Sequence, residues 1–157
     1  FPGPARLRLS VEYDRASGDG PGGSYGRFDT LFGMRRADFS PAGVLAAIGR
    51  SNINSPGVRA EVAPGKRFDA FATYHPLWLV EKTDSFATTG VRDPNGKSGS
   101  FAGHQFEGRL RYWILPGFLR GEVNAFWLAK GRFLKLAANA PRTGNTGYFS
   151  TAILASF

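Results

Sequence analysis

The sequence predicts an all-β chain: a portion of an antiparallel transmembrane β-barrel, with about six strands, three long outer loops and two short periplasmic turns. Three observations point there. Several stretches alternate apolar and polar residues with a period of two. The connections between them alternate long, short, long, short, long. Aromatic residues on the apolar faces gather near the strand ends, leaving Leu, Val, Ala, Ile and Gly in the middle. A half-buried strand of a soluble sheet shares the first feature, so the alternation establishes strands and not their solvent. The other two favour a bilayer, which asks for short turns on one side, long loops on the other, and aromatic belts around an aliphatic band.

The first strand is expected over Ala5 to Asp14, with Ala5, Leu7, Leu9, Val11 and Tyr13 opposite Arg6, Arg8, Ser10, Glu12 and Asp14. Residues 15 to about 50 form a long connection opened by the glycine-rich stretch Ser17 to Ser24. It holds apolar patches at Phe28–Phe32 and Val44–Ile48, and Ser40-Pro41 suits the start of a short helix. A second strand, Gly57 to Ala63, places Val58, Ala60 and Val62 against Arg59 and Glu61.

After the turn Pro64-Gly65-Lys66, a third strand runs from Arg67 to about Glu81. Phe68, Ala70, Ala72, Tyr74, Trp78 and Val80 share its apolar face. Phe71, Leu77 and Leu79 interrupt the polar one. Pro76 cannot donate to a ladder, which predicts an irregularity there. A polar loop over 82–102 leads to a fourth strand, His104 to Leu115, with Phe106, Gly108, Leu110, Tyr112 and Ile114 opposite Gln105, Glu107, Arg109, Arg111 and Trp113. Pro116-Gly117 turns the chain into a fifth strand, Leu119 to Lys130. A third loop, 131–144, precedes the last strand, which closes on Phe157.

With the Pro-Gly turns on one side, Tyr13, Trp78, Phe106, Trp127 and Phe149 form the belt at the loop end. Phe68, Tyr112 and Phe157 form the belt at the turn end. The opposite face carries too many ionised groups for a dry interior, since burying them without water is very costly. A solvated lumen accommodates them. Six strands fall short of the smallest membrane barrels, at about eight, and an open edge in hydrocarbon leaves backbone groups unsatisfied. The chain also begins on Phe-Pro-Gly-Pro. Residues 1–157 are therefore expected to be the C-terminal portion of a larger barrel, completed by the remaining strands of that barrel, or one contributor to an assembled one.

Composition narrows the function. The chain lacks cysteine, which excludes disulfides and thiolate metal sites. Its formal charge of +8 suggests an anionic partner. The basic residues are scattered singly rather than in blocks, which argues against nucleic acid. His75 and His104 lie on different strands without a third ligand, so no metal is expected. Asp14, Asp19 and Asp29 do not follow calcium-loop spacing. Nucleophile-elbow, phosphate-loop and dinucleotide motifs are absent, and neighbouring Glu107 and Glu122 read more simply as salt-bridge partners than as a glycosidase pair. Neither an enzyme nor a cofactor is expected.

Glu12-Tyr-Asp-Arg-Ala-Ser-Gly-Asp19, Phe28-Asp-Thr-Leu-Phe-Gly33, Arg50-Ser-Asn-Ile-Asn-Ser-Pro-Gly57 and Gly103-His-Gln-Phe-Glu-Gly-Arg109, in this order before an aromatic-terminated strand, carry a family likeness. With these the chain resembles the bacterial alginate-export outer-membrane barrels. That resemblance implies an outer-membrane location, outer-membrane lipid around the barrel, and passage of an anionic, alginate-like polysaccharide through an arginine-rich lumen. It also implies that Phe157 addresses the barrel-assembly machinery.

The expected substrate path comprises Arg6, Arg8, Arg59, Arg109, Arg111, Arg120 and Lys130, because a permanently charged guanidinium pairs bidentately with carboxylates. Glu12, Glu61, Glu107 and Glu122 are their expected salt-bridge partners. Arg35, Arg36, Arg50, Asn52 and Asn54 are candidates for the mouth. The same charges also suit a purely structural ladder in a general porin, and a soluble β-barrel or sandwich binding module is the remaining alternative.

Overall fold

The computed structural model describes residues 3–29 and 48–156. Six strands follow in chain order: β1 (Arg8–Ala16), β2 (Ile53–Val62), β3 (Phe68–Trp78), β4 (Phe101–Leu115), β5 (Leu119–Lys130) and β6 (Thr146–Ala155). One short helix, α1 (Arg132–Leu136), lies between the last two. Every strand pairs antiparallel with the next, in the order β1-β2-β3-β4-β5-β6. The result is an open, all-β antiparallel sheet whose edges are β1 and β6.

The period-two pattern sorts side chains as expected. One face carries rows such as Val11, Val58, Tyr74, Phe106, Trp127 and Gly147, which are register neighbours across all six strands. Below it runs a row of small residues, Ala60, Ala72, Gly108 and Ala125. This face is bare: Val11 is 84% exposed, Phe149 66% and Ile153 77%. The opposite face carries the charges.

Several boundaries differ from the sequence expectation. β1 begins at Arg8 rather than Ala5, because Arg6 turns the chain with φ 46° and its backbone N–H donates to Gly3 O at 3.0 Å. β2 begins at Ile53 rather than Gly57, running beside β1 as far as Ala16. β4 begins at Phe101 rather than His104. There Gly103 adopts φ 150°, and a Cβ at this position would collide with Ala129 O. α1 was not foreseen. The Ser40-Pro41 helix start, most of the two apolar patches beside it, and Phe157 lie outside the described residues.

The two Pro-Gly turns are short. Phe118 N donates to Leu115 O at 3.0 Å and Gly117 has φ 82°, which suits Pro116 and Gly117 at the centre of a type II turn. The ladder is weakest at Pro56 and Pro76, which supply no N–H. Pairing of β2 with β3 lapses between Asn54/Trp78 and Val58/Tyr74, and the Ser55 hydroxyl donates to Pro76 O at 3.0 Å. The expected irregularity near Pro76 is a register shift at Leu77/Trp78. A second one, at Trp113/Leu115, precedes the turn.

The hydrophobic core lies on the charged face, but only at its loop end. Ile53, Leu77, Phe86, Ala87, Ala102 and Phe133 are wholly buried there with Leu79, Phe126, Leu128 and Leu134. Loops 79–100 and 131–145 are thus not simply polar extensions, since each lays apolar side chains over the sheet. Asn52, also wholly buried, holds the arrangement: its Nδ2 donates to Glu81 O (2.9 Å) and Ser85 O (3.0 Å). Its Oδ1 accepts from Val80 N (3.1 Å) and Glu81 N (2.8 Å). Arg27 clamps the next segment, donating to Asp84 (2.7 Å), the Ser85 hydroxyl (2.7 Å) and Ala87 O.

Candidate functional site: the charged face

Toward the turn end, which none of the described loops covers, the charged face displays an ordered set of arginines, carboxylates and two aromatic rings. Glu61 receives Arg8 at 3.1 Å from the neighbouring strand and Arg59 at 2.6 Å from its own. Arg111 and Asp69 are register partners on β4 and β3, joined at 2.9 Å. Arg120 meets Glu122 at 3.5 Å, and the same carboxylate accepts from Asn124 Nδ2 at 3.0 Å.

Phe71 and Trp113 occupy polar-face positions and serve as platforms. The Arg59 guanidinium lies 3.8 Å from the centre of the Phe71 ring and that of Arg109 lies 4.8 Å from it. Arg111 and Arg120 approach the Trp113 ring at 5.3 Å and 5.7 Å. A guanidinium over an aromatic face is held by the ring quadrupole without neutralising its charge. The arginines are thereby fixed in place, and their outward nitrogens remain able to donate.

Arg109 differs from its neighbours. It makes no ion pair among the described residues; its buried Nε, like that of Arg120, has no hydrogen-bond partner there. The Phe71 ring lies under its guanidinium. Arg8, Arg59, Arg111 and Arg120 each already hold a carboxylate.

The remaining expected residues are dispersed. Glu107 forms no salt bridge among the described residues; it accepts from Gln105 Nε2 at 2.6 Å. Glu12 faces His75 at 4.0 Å, and His75 packs against Gly57, where any side chain would collide with the ring. Lys130 sits at the loop end and donates to the Thr143 hydroxyl at 2.6 Å. Arg6 lies ahead of β1. Of the mouth candidates, Arg50 pairs with Asp14 at 3.3 Å, whereas Asn52 is a buried loop brace. Asn54 belongs to the apolar face, accepting from the Tyr13 hydroxyl at 2.7 Å. Arg35 and Arg36 lie outside the described residues.

On the apolar face the loop-end aromatics are in mutual contact. Tyr74 lies 5.0 Å from Phe106 and shares a hydrogen bond of 2.8 Å with His104, and Trp78 lies 5.5 Å from Phe101. Trp127 and Phe149 are exposed on the same face, and Phe68 and Tyr112 are register partners nearer the turns. Sequence reasoning missed Asp69, Phe71 and Trp113 as site residues. The signal for Phe71 and Trp113 was present: each is an aromatic ring at a polar-parity position between arginines.

The site therefore offers aromatic-backed guanidinium groups on one sheet face, with no cluster of metal-ligating side chains among the described residues. Such a surface suits repeated, reversible contact with anions. No curated protein matches the chain. The family model for alginate export matches residues 3–147, most of its length, and the chain belongs to that family.

Proposed function

We propose that the chain forms the C-terminal part of an outer-membrane β-barrel that carries an anionic polysaccharide, of the polyuronate class, through a lumen lined by the charged face. The observation that supports this most is the opposition of the two faces. One is a bare apolar surface that water would penalise and lipid would not. The other presents guanidinium groups stacked on Phe71 and Trp113. In a water-filled lumen each polymer carboxylate exchanges one arginine for the next, and the shared carboxylates keep binding weak enough for release.

Among the described strand arginines of the charged face, Arg109 is the one at which an incoming carboxylate displaces no ion-paired acid. The intact protein reconstituted in a planar bilayer should favour anions, and a polyuronate should block its current. Both effects should weaken as the Debye length falls from about 10 Å at 0.1 M salt to about 3 Å at 1 M. Arg109→Gln should reduce selectivity and block while the barrel still assembles, because lumen substitutions tune selectivity. Unchanged anion preference and block in a folded Arg109→Gln pore would remove the role given to that residue.

A second reading, a general porin with a structural charge ladder, is favoured by one observation: four of the five arginines that lie within strands on the charged face already hold carboxylates. It predicts small-anion preference without polyuronate block, so the same recording separates the two.

A further inference from the structure

The loops carry a second concentration of cations, away from the charged face. Lys82, Arg92, Lys97, Arg132 and Lys135 are all exposed. Local contacts make them one surface. Arg132 donates to Lys97 O at 3.4 Å, and Arg92 Nε donates to Thr83 O at 2.8 Å. A Cβ on Gly96 would stand 3.7 Å from Lys82 Cβ, and Lys135 follows Arg132 by three residues on α1, which places it on the same side. Asn139 fastens the two loops together, accepting from Arg92 N at 2.7 Å and donating to Gly90 O at 2.8 Å.

The nearby carboxylates are turned away from this surface. Asp84 is buried against Arg27 (2.7 Å) and Asp19 N (2.9 Å). Asp93 is buried and accepts from Asn95 N (3.1 Å) and Ser98 N (2.7 Å). Glu81 takes the Thr83 hydroxyl at 3.1 Å and borders Gly20. Segment 131–145 contains no acidic residue. None of the five cations is in an ion pair among the described residues.

We infer that this patch docks a repeating polyanion, a carboxylated polysaccharide strand, outside the charged face. The inference rests on the polymer reading above and adds a separate binding surface to it. A lone phosphate or carboxylate gains little from exposed, screened cations. A chain bearing a charge on every sugar engages several at once, and the later contacts form at high effective concentration. The cations also span two loops, which fits a strand lying across them.

The test uses the intact protein in nanodiscs of neutral lipid, with a fluorescent polyuronate oligomer followed by anisotropy at low and high salt. The Lys97→Glu/Lys135→Glu variant alters two ammonium groups that make no hydrogen bond or ion pair among the described residues. It should weaken binding by about tenfold, the product of two exposed contacts worth a few-fold each, and flatten the salt dependence. A neutral glucan of equal length should not bind. Full-strength binding by the variant, or retention only of vesicles containing a phosphorylated glycolipid, would overturn the patch. Channel block by the polyuronate is recorded in parallel. If block persists while patch binding is unaffected by the substitutions, the patch fails and the passenger stands. If the polyuronate neither blocks nor binds, the passenger itself is wrong and the patch falls with it.

Discussion

The turn-end and loop-end halves of the charged face are built from the same strands and the same residue parity, yet they differ in kind. At the turn end, Arg59, Asp69, Arg109, Arg111 and Glu122 stand over an open sheet, propped by Phe71 and Trp113. At the loop end, Leu77, Phe126 and Leu128 occupy equivalent positions under Phe86, Phe133 and Leu134. The change occurs within two or three residues on each strand, across a band of buried polar groups that includes Thr73, His75, Gln105 and Asn124. Alternation decides which face a side chain joins. What covers that face is decided by the connections. One wall can therefore be wet and charged at one end and dry at the other, and the loops are a second packed layer there rather than passive extensions.

That contrast is most sharply broken at the loop end. Phe133 is wholly buried, so Phe133→Ala should cost about 3–5 kcal/mol, the range for emptying a core aromatic site. The loss should be local: loops 79–100 and 131–145 become protease-sensitive while the strands stay protected. Hydrogen exchange of the intact protein in detergent would show this, and uniform protection in the variant would mean that the loop layer does not depend on its core.

The apolar face gives the next largest effect. Leu110 lies in the middle of β4 on the bare side. If this face meets a bilayer, as proposed, Leu110→Arg should destabilise the folded protein by about 2–4 kcal/mol, as expected for a basic residue near the midplane. Urea titration of the protein in lipid vesicles measures it, and a shift below about 0.5 kcal/mol, typical of a surface site in water, would remove this face from the membrane.

How much of this was legible in the sequence follows from the same contrast. Strands, faces and both tight turns could be read, because alternation and Pro-Gly chemistry are local. The partner of Arg111 could not, since Asp69 becomes its neighbour only through the β3–β4 register. The inward packing of the loops left a trace in Leu77 and Leu79, apolar residues at polar-parity positions near a strand end. Asn52 offered no such trace. Its buried role depends on φ 46° and on backbone groups of residues 80, 81 and 85, which tertiary structure alone brings together. Asn52→Ala should cost about 1–3 kcal/mol by leaving buried backbone groups unpaired. It should loosen 80–85 in hydrogen exchange more than any turn-end segment, and equal loosening at both ends would dissolve the distinction between the halves.

The smallest effect should come from Asp93, at the rim of the loop layer. The Ser98 hydroxyl and backbone N–H, with Asn95 N, hold its carboxylate below the ordinary value of 3.8. A depressed pKa means that the folded loop binds the proton less readily than the unfolded chain. The stabilisation is therefore fully present above the unfolded value and fades as pH falls through the folded one. Below that window the protonated acid loses its preference for two converging N–H groups, and the turn closed by Gly96 N to Asp93 O should open more often. Lowering the pH from 6 to 3 should speed proteolysis or exchange at 93–98 in the wild type. Asp93→Asn should start looser at pH 6 and change less on acidification, since one of the two accepting oxygens is gone and nothing at that position titrates. Other carboxylates titrate in the same range, so the informative quantity is the difference between the two profiles, which cancels independent sites. Parallel profiles for the two proteins would show that the charge on Asp93 does not hold this loop.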